Sequence, residues 1–278
     1  MIHESPAGRG IVYPVLSRRS RGLSLGVNLF PRAKVCNFDC PYCEVSPHFS
    51  GPDFSLEALA FDLEDFFERD YPSVWSSYPL RDICFSGTGE PTLSRDLLPA
   101  LELCAQTRRS HPEIAGESAL VLITNATGFR DPEIRESLSG FARREGLSVW
   151  AKLDAGSDAL FSAMNRSDFT YKEVLEGLRL FALLYPVTIQ TMVCSLKGRV
   201  PSSQDAAALA AALAELLDAG CRIQALQVYT VARPTLEPWV VGISDEAVRE
   251  YIGIVDAGLG GRVPIQGYGA SGLGPIAP

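Results

Sequence analysis

The chain has 278 residues, with 25 Lys and Arg against 33 Asp and Glu, a formal net charge of −8 at neutral pH. That acidic balance argues against broad, charge-driven nucleic-acid binding. Charged residues make up 21% and apolar ones 46%, ordinary for a globular chain. No apolar run reaches the roughly 18 residues of a membrane-spanning helix, so no membrane association is expected. Met1 to Arg21 has arginines but no apolar leader core, so a cytoplasmic setting is expected.

In chain order, a basic arm over 1–22 comes first, with Arg9, Arg18, Arg19 and Arg21 followed by Arg32 and Lys34, and only Glu4 opposing them. It reads as a tail packed across one end of the fold or as a contact for a phosphate-bearing substrate. Residues 23–278 read as one domain with a C-terminal extension. Leu23 to Phe30 is the first strand. It leads into Val35-Cys36-Asn37-Phe38-Asp39-Cys40-Pro41-Tyr42-Cys43, a loop with C-x3-C-x2-C spacing that extends through Pro47, Gly51 and Pro52. Ser55 caps a predicted helix over Leu56 to Arg69, and Tyr71 to Pro79 is a connection. A strand from Arg81 to Ser86 runs into Ser86-Gly87-Thr88-Gly89-Glu90-Pro91-Thr92, and Ser94 opens a helix to about Arg109.

The alternation then repeats. Strands are expected over Ala119 to Thr124, Leu147 to Leu153, Val187 to Cys194, Arg222 to Val231 and Val263 to Gln266. Helices are expected from Pro132 to Arg144, Tyr171 to Leu184, Gln204 to Ala219 and Ser244 to Ala257. Six strand–helix units in series predict a parallel sheet with right-handed crossovers and outer helices. In such folds the loops after the strand C-termini carry the chemistry.

Three soft thiols within eight residues can converge on one metal centre. A closed zinc site wants four ligands, so the alternatives are a [4Fe–4S] cluster with one open iron, a zinc site completed by His48, or buried thiols. The other four of the seven cysteines, Cys84, Cys104, Cys194 and Cys221, are isolated and read as small buried hydrophobes. In the glycine turn, Gly87 and Gly89 permit close backbone approach, and Glu90 offers an acceptor for an ammonium group. Asn125 follows the third strand. Lys152 and Asp154 end the fourth and share a face by alternation, where they can ion-pair. Gln190 lies on the fifth strand among apolar neighbours and needs a hydrogen-bond partner. Arg233 follows the sixth and suits a carboxylate or phosphate, or pairs with Glu237.

With the cysteine loop one strand–helix unit before the Gly-Thr-Gly-Glu-Pro turn, the stretch from about Leu23 to Pro234 resembles the radical S-adenosylmethionine superfamily. The resemblance implies a partial (β/α)6 TIM-like barrel of parallel strands and outer helices. It implies that Cys36, Cys40 and Cys43 hold a [4Fe–4S] cluster whose open iron chelates S-adenosylmethionine. Gly87, Thr88, Gly89, Glu90 and Pro91 then contact the methionine amino group, and Tyr42 stands at the adenine position. Asn125, Lys152, Asp154 and Gln190 complete the cofactor pocket, with Lys152 and Arg233 the candidates for a catalytic role. An electron donor such as flavodoxin or ferredoxin is implied. The pattern is most similar to the Fe–S oxidoreductase branch related to wyosine-forming tRNA enzymes, which carry further cysteines near the N-terminus; none precedes Cys36 here. Glycyl-radical activating enzymes, acting on protein, share the cysteine spacing, and a small-molecule substrate stays open. The reading of another class is a non-catalytic Fe–S or zinc redox module.

Overall fold

The computed structural model describes residues 10–46 and 50–270. Arg9, Glu4 and His3 of the arm, Pro47 and His48 of the cysteine loop, and the tail from 271 onward lie outside the described residues. The chain divides into two compact units. One comprises Met1–Cys36, Val45–Thr124 and Gly140–Ser148; the other comprises Asn37–Glu44, Asn125–Ser139 and Val149–Pro278.

In the first unit, β1 (Val12–Ser17) and β2 (Gly22–Val27) form an antiparallel hairpin, with Val12 opposite Val27 and Ser17 opposite Gly22. β1 has no counterpart among the expected strands because Pro14 interrupts its run. As the terminal strand it tolerates the missing N–H. β2 lies parallel to β3 (Leu80–Phe85), and β3 lies parallel to β4 (Ala119–Thr124). Leu23, Leu25, Val27, Ile83, Phe85, Leu120 and Leu122 fill the core between these strands and their helices.

Between β2 and β3, α1 (Leu56–Asp65) starts at Ser55, whose hydroxyl accepts the Ala58 N–H. The expected helix to Arg69 is not a single α-helix. Wider π-type turns carry Phe66–Trp75 and take in Pro72, which has no N–H to give. α2 (Leu97–Ser110) and α3 (Pro112–Ala115) precede β4. Cys84 on β3 and Cys104 on α2 are buried, and burial pushes both thiols far up, as expected of inert core residues.

Past β4, α4 (Pro132–Glu145) begins where the Asp131 carboxylate accepts the Glu133 N–H at 2.8 Å. The second unit then holds β5 (Ser148–Lys152) from Val149 on, α5 (Asp158–Asn165), α6 (Tyr171–Leu184), β6 (Val187–Met192), β7 (Cys194–Leu196) and α7 (Ser203–Asp218). β8 (Ile223–Tyr229), β9 (Val240–Gly242), α8 (Asp245–Leu259) and β10 (Ile265–Tyr268) complete it. β5, β6, β8 and β10 are parallel neighbours in that order. β7 and β9 form a separate antiparallel pair. Capping boxes at Thr170–Glu173 and Ser202–Asp205 start α6 and α7, and Gly260 in the left-handed region ends α8.

The register aligns Lys152, Gln190, Gln227 and Gln266 in one row across the four strands. In-register residues of a parallel sheet share a face, so a cation and three carboxamides stand side by side.

Candidate functional site

In the first unit, the chain before Cys36 is clamped to the glycine turn after β3. The Val35 N–H donates to Thr88 O at 3.2 Å and the Glu90 N–H donates to Val35 O at 2.8 Å, a parallel bridge between Val35 and Gly89. A Cβ on Gly89 would lie 2.3 Å from Val35 O and 2.4 Å from the Phe30 ring, so only glycine admits this approach. Gly87 has φ +132°, which glycine tolerates, and a Cβ there would meet the Asn28 side chain at 2.7 Å.

Asn28 organises the other side of the turn. Its Oδ1 accepts from Thr88 N at 3.2 Å, Thr88 Oγ1 at 3.0 Å and Phe30 N at 3.1 Å. Glu90 is buried, and its Oε1 accepts from Thr92 N at 3.1 Å, Thr92 Oγ1 at 2.7 Å and Thr124 Oγ1 at 2.6 Å. Three donors on one oxygen fix the direction of the carboxylate. Pro91 opens a single 3₁₀ turn behind it.

In the second unit, the loop Asn37–Glu44 is tethered along its length. The Asn37 Oδ1 accepts from Asn125 Nδ2 at 2.6 Å, while Asn37 Nδ2 donates to Thr127 Oγ1 at 2.8 Å. Asn125 Oδ1 in turn accepts from Thr127 N and Oγ1 at 3.0 and 2.7 Å. Phe38 packs edge-on against Phe161 with ring centroids 5.7 Å apart. The Asp39 N–H reaches Asn165 O at 3.1 Å, and the Cys43 N–H closes a tight turn onto Cys40 O at 2.9 Å.

Behind this loop lies a buried polar cluster centred on Asp154. Its Oδ2 accepts from Tyr42 Oη and, at 2.9 Å, from Asn165 Nδ2; its Oδ1 accepts from Met192 N at 2.8 Å and lies 3.4 Å from Lys152 Nζ. Lys152 also donates to Tyr229 Oη at 2.7 Å and stands 4.9 Å from the Tyr42 ring centroid. Burial pulls the Lys152 ammonium down, but Asp154, Tyr229 and Cys40 beside it outweigh that and hold it above its ordinary range. Burial, with Asp154 adding to it, holds the Tyr42 phenol protonated. Burial pushes the Cys40 thiol up to about 12, with Lys152 opposing.

The structure therefore brings Tyr42, Lys152 and Asp154 into one cluster and knits Asn125 to the cysteine loop. Gln190 is fully buried and donates to Gln227 Oε1 at 2.8 Å, one strand along the carboxamide row. Arg233 pairs with Glu44 at 2.8 Å; Glu237 is taken instead by Arg166 at 2.9 Å. Sequence reasoning missed Asn28, Thr124, Asn165 and Arg166. Asn28 follows β2 as Asn125 follows β4, so the strand-end rule could have found it. Asn165 ends α5, which is short and had no counterpart among the expected elements.

No family model matches the chain. It is 28% identical over 227 residues to a UPF0026 protein of Helicobacter pylori, covering 80% of this chain and 66% of that one. It is 29% identical over 188 residues to a UPF0026 protein of Synechocystis, covering 66% and 64%. The chain thus spans just under two thirds of the length of these relatives. Among solved structures, it superposes on a radical SAM methyltransferase from Sphaerobacter thermophilus with a TM-score of 0.61 at 16% identity, over 88% of this chain and 66% of that one. At 16% identity this is a likeness of fold. The likeness bears out the expected fold class.

Among the described residues, no helix is long and apolar enough to cross a membrane. Nor do three or more His, Cys, Asp or Glu side chains among them converge as a formed metal site. The donor set nevertheless fits an iron–sulfur cluster in kind. Cys36, Cys40 and Cys43 are all partly exposed thiols, whereas Cys84, Cys104, Cys194 and Cys221 are buried in the core. Soft sulfur ligands grouped in one loop are what such a cluster requires.

Proposed function

We propose that the chain is a radical S-adenosylmethionine enzyme, with Cys36, Cys40 and Cys43 as the ligands of a [4Fe–4S] cluster. The observation that carries this reading is the Val35–Gly89 bridge. It fastens the residue before the first cysteine to the Gly-Thr-Gly-Glu-Pro turn, coupling the two motifs through residues 54 positions apart in sequence. The fold likeness supports it. When bound, the cluster supplies the electron for reductive cleavage of S-adenosylmethionine and so yields a hydrogen-abstracting 5′-deoxyadenosyl radical.

The chain's own residues bind and orient. The turn from Gly87 to Pro91 receives the methionine end, with Glu90 aimed by its three donors. In the second unit, Tyr42, Asn125, Lys152, Asp154 and Gln190 are assigned to the remainder of the cofactor. Arg233, held by Glu44, is assigned to the substrate side as a planar cation. An electron donor of the flavodoxin or ferredoxin type and a cytoplasmic setting go with this reading.

For substrate, the order of the motifs supports RNA modification of the wyosine-related type. Activation of a glycyl-radical protein is the second reading, favoured by the shared C-x3-C-x2-C spacing of Cys36, Cys40 and Cys43. The deciding experiment is an anaerobic assay of the reconstituted, reduced protein with S-adenosylmethionine, scoring 5′-deoxyadenosine by mass spectrometry beside a Cys36→Ala, Cys40→Ala, Cys43→Ala variant. Product from the wild type alone, boosted by RNA extract, supports both the class and the RNA substrate. A boost by protein extract supports the second reading. One zinc per chain and no sulfide would replace the enzyme with a structural or redox module.

A further inference from the structure

We infer that Asn165 is a tuning residue for the cluster: its side-chain amide donates a hydrogen bond to the sulfur of Cys40 and so raises the reduction potential. The inference rests on the cluster assignment proposed above.

Three features lead there. The first is geometry: Asn165 Nδ2 lies 2.9 Å from Asp154 Oδ2, 3.6 Å from Cys40 Sγ and 3.5 Å from Tyr42 Oη. An amide nitrogen has two hydrogens: one goes to Asp154, and the other faces the sulfur, at an ordinary distance for sulfur, beside a Tyr42 oxygen that at 3.5 Å lies beyond the usual N–H···O range and gives its own proton to Asp154. The second is the orientation of the amide, which chemistry fixes. Turning it over would set Oδ1 against the Asp154 carboxylate, two acceptors with no proton between them.

The third is what that orientation costs. Asn165 is 1% exposed, and its Oδ1 has no hydrogen-bond partner. Buried polar atoms are rarely left unmatched, so packing has accepted an unsatisfied carbonyl in order to aim both N–H groups at Asp154 and the thiol. The backbone serves the same end. Arg166 adopts φ +44°, which stops α5 and turns the Asn165 and Arg166 carbonyls toward the Asp39 N–H, at 3.1 and 3.4 Å. One helix end thus holds the cysteine loop by its backbone immediately before Cys40 and addresses its sulfur by a side chain.

The effect follows from charge. Reduction places additional negative charge on the cluster and its thiolate sulfurs. An N–H pointing at one of them stabilises the reduced form more than the oxidised form. Removing it makes the cluster harder to reduce.

The test is a redox titration of reconstituted wild type and Asn165→Leu, followed by electron paramagnetic resonance, with iron and sulfide counted in each. Asn165→Leu keeps the volume and removes both N–H groups. A roughly tenfold fall in the one-electron reduction equilibrium is expected, 59 mV toward more negative potential, with the iron count unchanged. An unchanged midpoint in a fully loaded variant overturns the inference. A second measurement needs no variant. In wild type carrying ¹⁵N in its asparagine side-chain amides, pulsed resonance of the reduced cluster should show a nitrogen coupling; its absence overturns the inference as well. Absence of iron and sulfide from the wild type would instead overturn the cluster assignment itself, so the two failures are distinguishable.

Discussion

Gly89→Ala is the sharpest test of the clamp between the cysteine loop and the glycine turn. The added methyl carbon would sit 2.3 Å from the Val35 carbonyl oxygen and 2.4 Å from the Phe30 ring, both inside the 3.0 Å that real side chains respect. The ring can swing aside, but the carbonyl belongs to backbone. The loop must therefore retreat, and the bonds Val35 N–Thr88 O and Glu90 N–Val35 O open with it. Overpacking costs about 1–3 kcal/mol and each lost backbone bond about 1 kcal/mol, so the variant should lose about 3–5 kcal/mol. Urea denaturation of the metal-free protein measures this directly. Gly140→Ala is the control of opposite sign, because nothing lies within 4 Å of its added carbon in the interior of α4. It should gain about 0.5–1 kcal/mol. A Gly89→Ala midpoint equal to wild type would refute the argument that the clamp, and not chance proximity, joins the two motifs.

Other outcomes follow from the same structure. Lys152→Met leaves the buried Asp154 without its cation and should destabilise the protein by about 3 kcal/mol in chemical denaturation; an equal midpoint would show that Tyr42, Asn165 and the Met192 N–H suffice. Asp82 is raised by burial, against hydrogen bonds from Ser20 and Ser24 and the nearby Arg19. Its native form therefore holds a proton that the unfolded chain has already released, and stability falls as pH rises from the ordinary carboxylate range through the folded value. Melting temperature followed across that range should fall in the wild type and be flatter in Asp82→Asn; parallel curves would contradict the sign. Arg233→Ala breaks a partly exposed pair with Glu44 and should change stability by less than about 1 kcal/mol, so a larger loss in denaturation would mean the pair holds the loop shut.

Much of the helix placement was legible locally. Thr170 and Glu173 announce α6 as a capping box, and its apolar spacing carries it to Leu184, where the structure ends it. α5 was not legible because eight residues make too short a periodic run, although Ser157 caps it by accepting the Leu160 N–H. β1 was hidden by Pro14, whose exclusion from strands holds only where both edges are paired. Within the site, alternation on one strand set Lys152 and Asp154 on a common face, a property of two residues and a period. Asn28, Asn165 and Arg166 escaped because their roles come from partners far along the chain: Thr88 for Asn28, Cys40 for Asn165 and Asp39 for Arg166. Arg233 shows the same limit. Its nearest acidic neighbour in sequence, Glu237, is engaged by Arg166 instead.

The β1–β2 hairpin sets a length scale. Arg18, Arg19 and Arg21 sit in its turn, before the first residues of β2, whereas the glycine turn follows the last residue of the parallel strand β3. A six-residue strand separates the two ends by about 17 Å. At physiological ionic strength a charge is screened over roughly 8 Å, so these arginines exert little field at the glycine turn. A ligand small enough to sit wholly at that turn is indifferent to them. Only a molecule long enough to bridge both ends can register their loss, which makes the hairpin a molecular ruler: neutralising it discriminates a polymeric substrate from a small one before either has been identified.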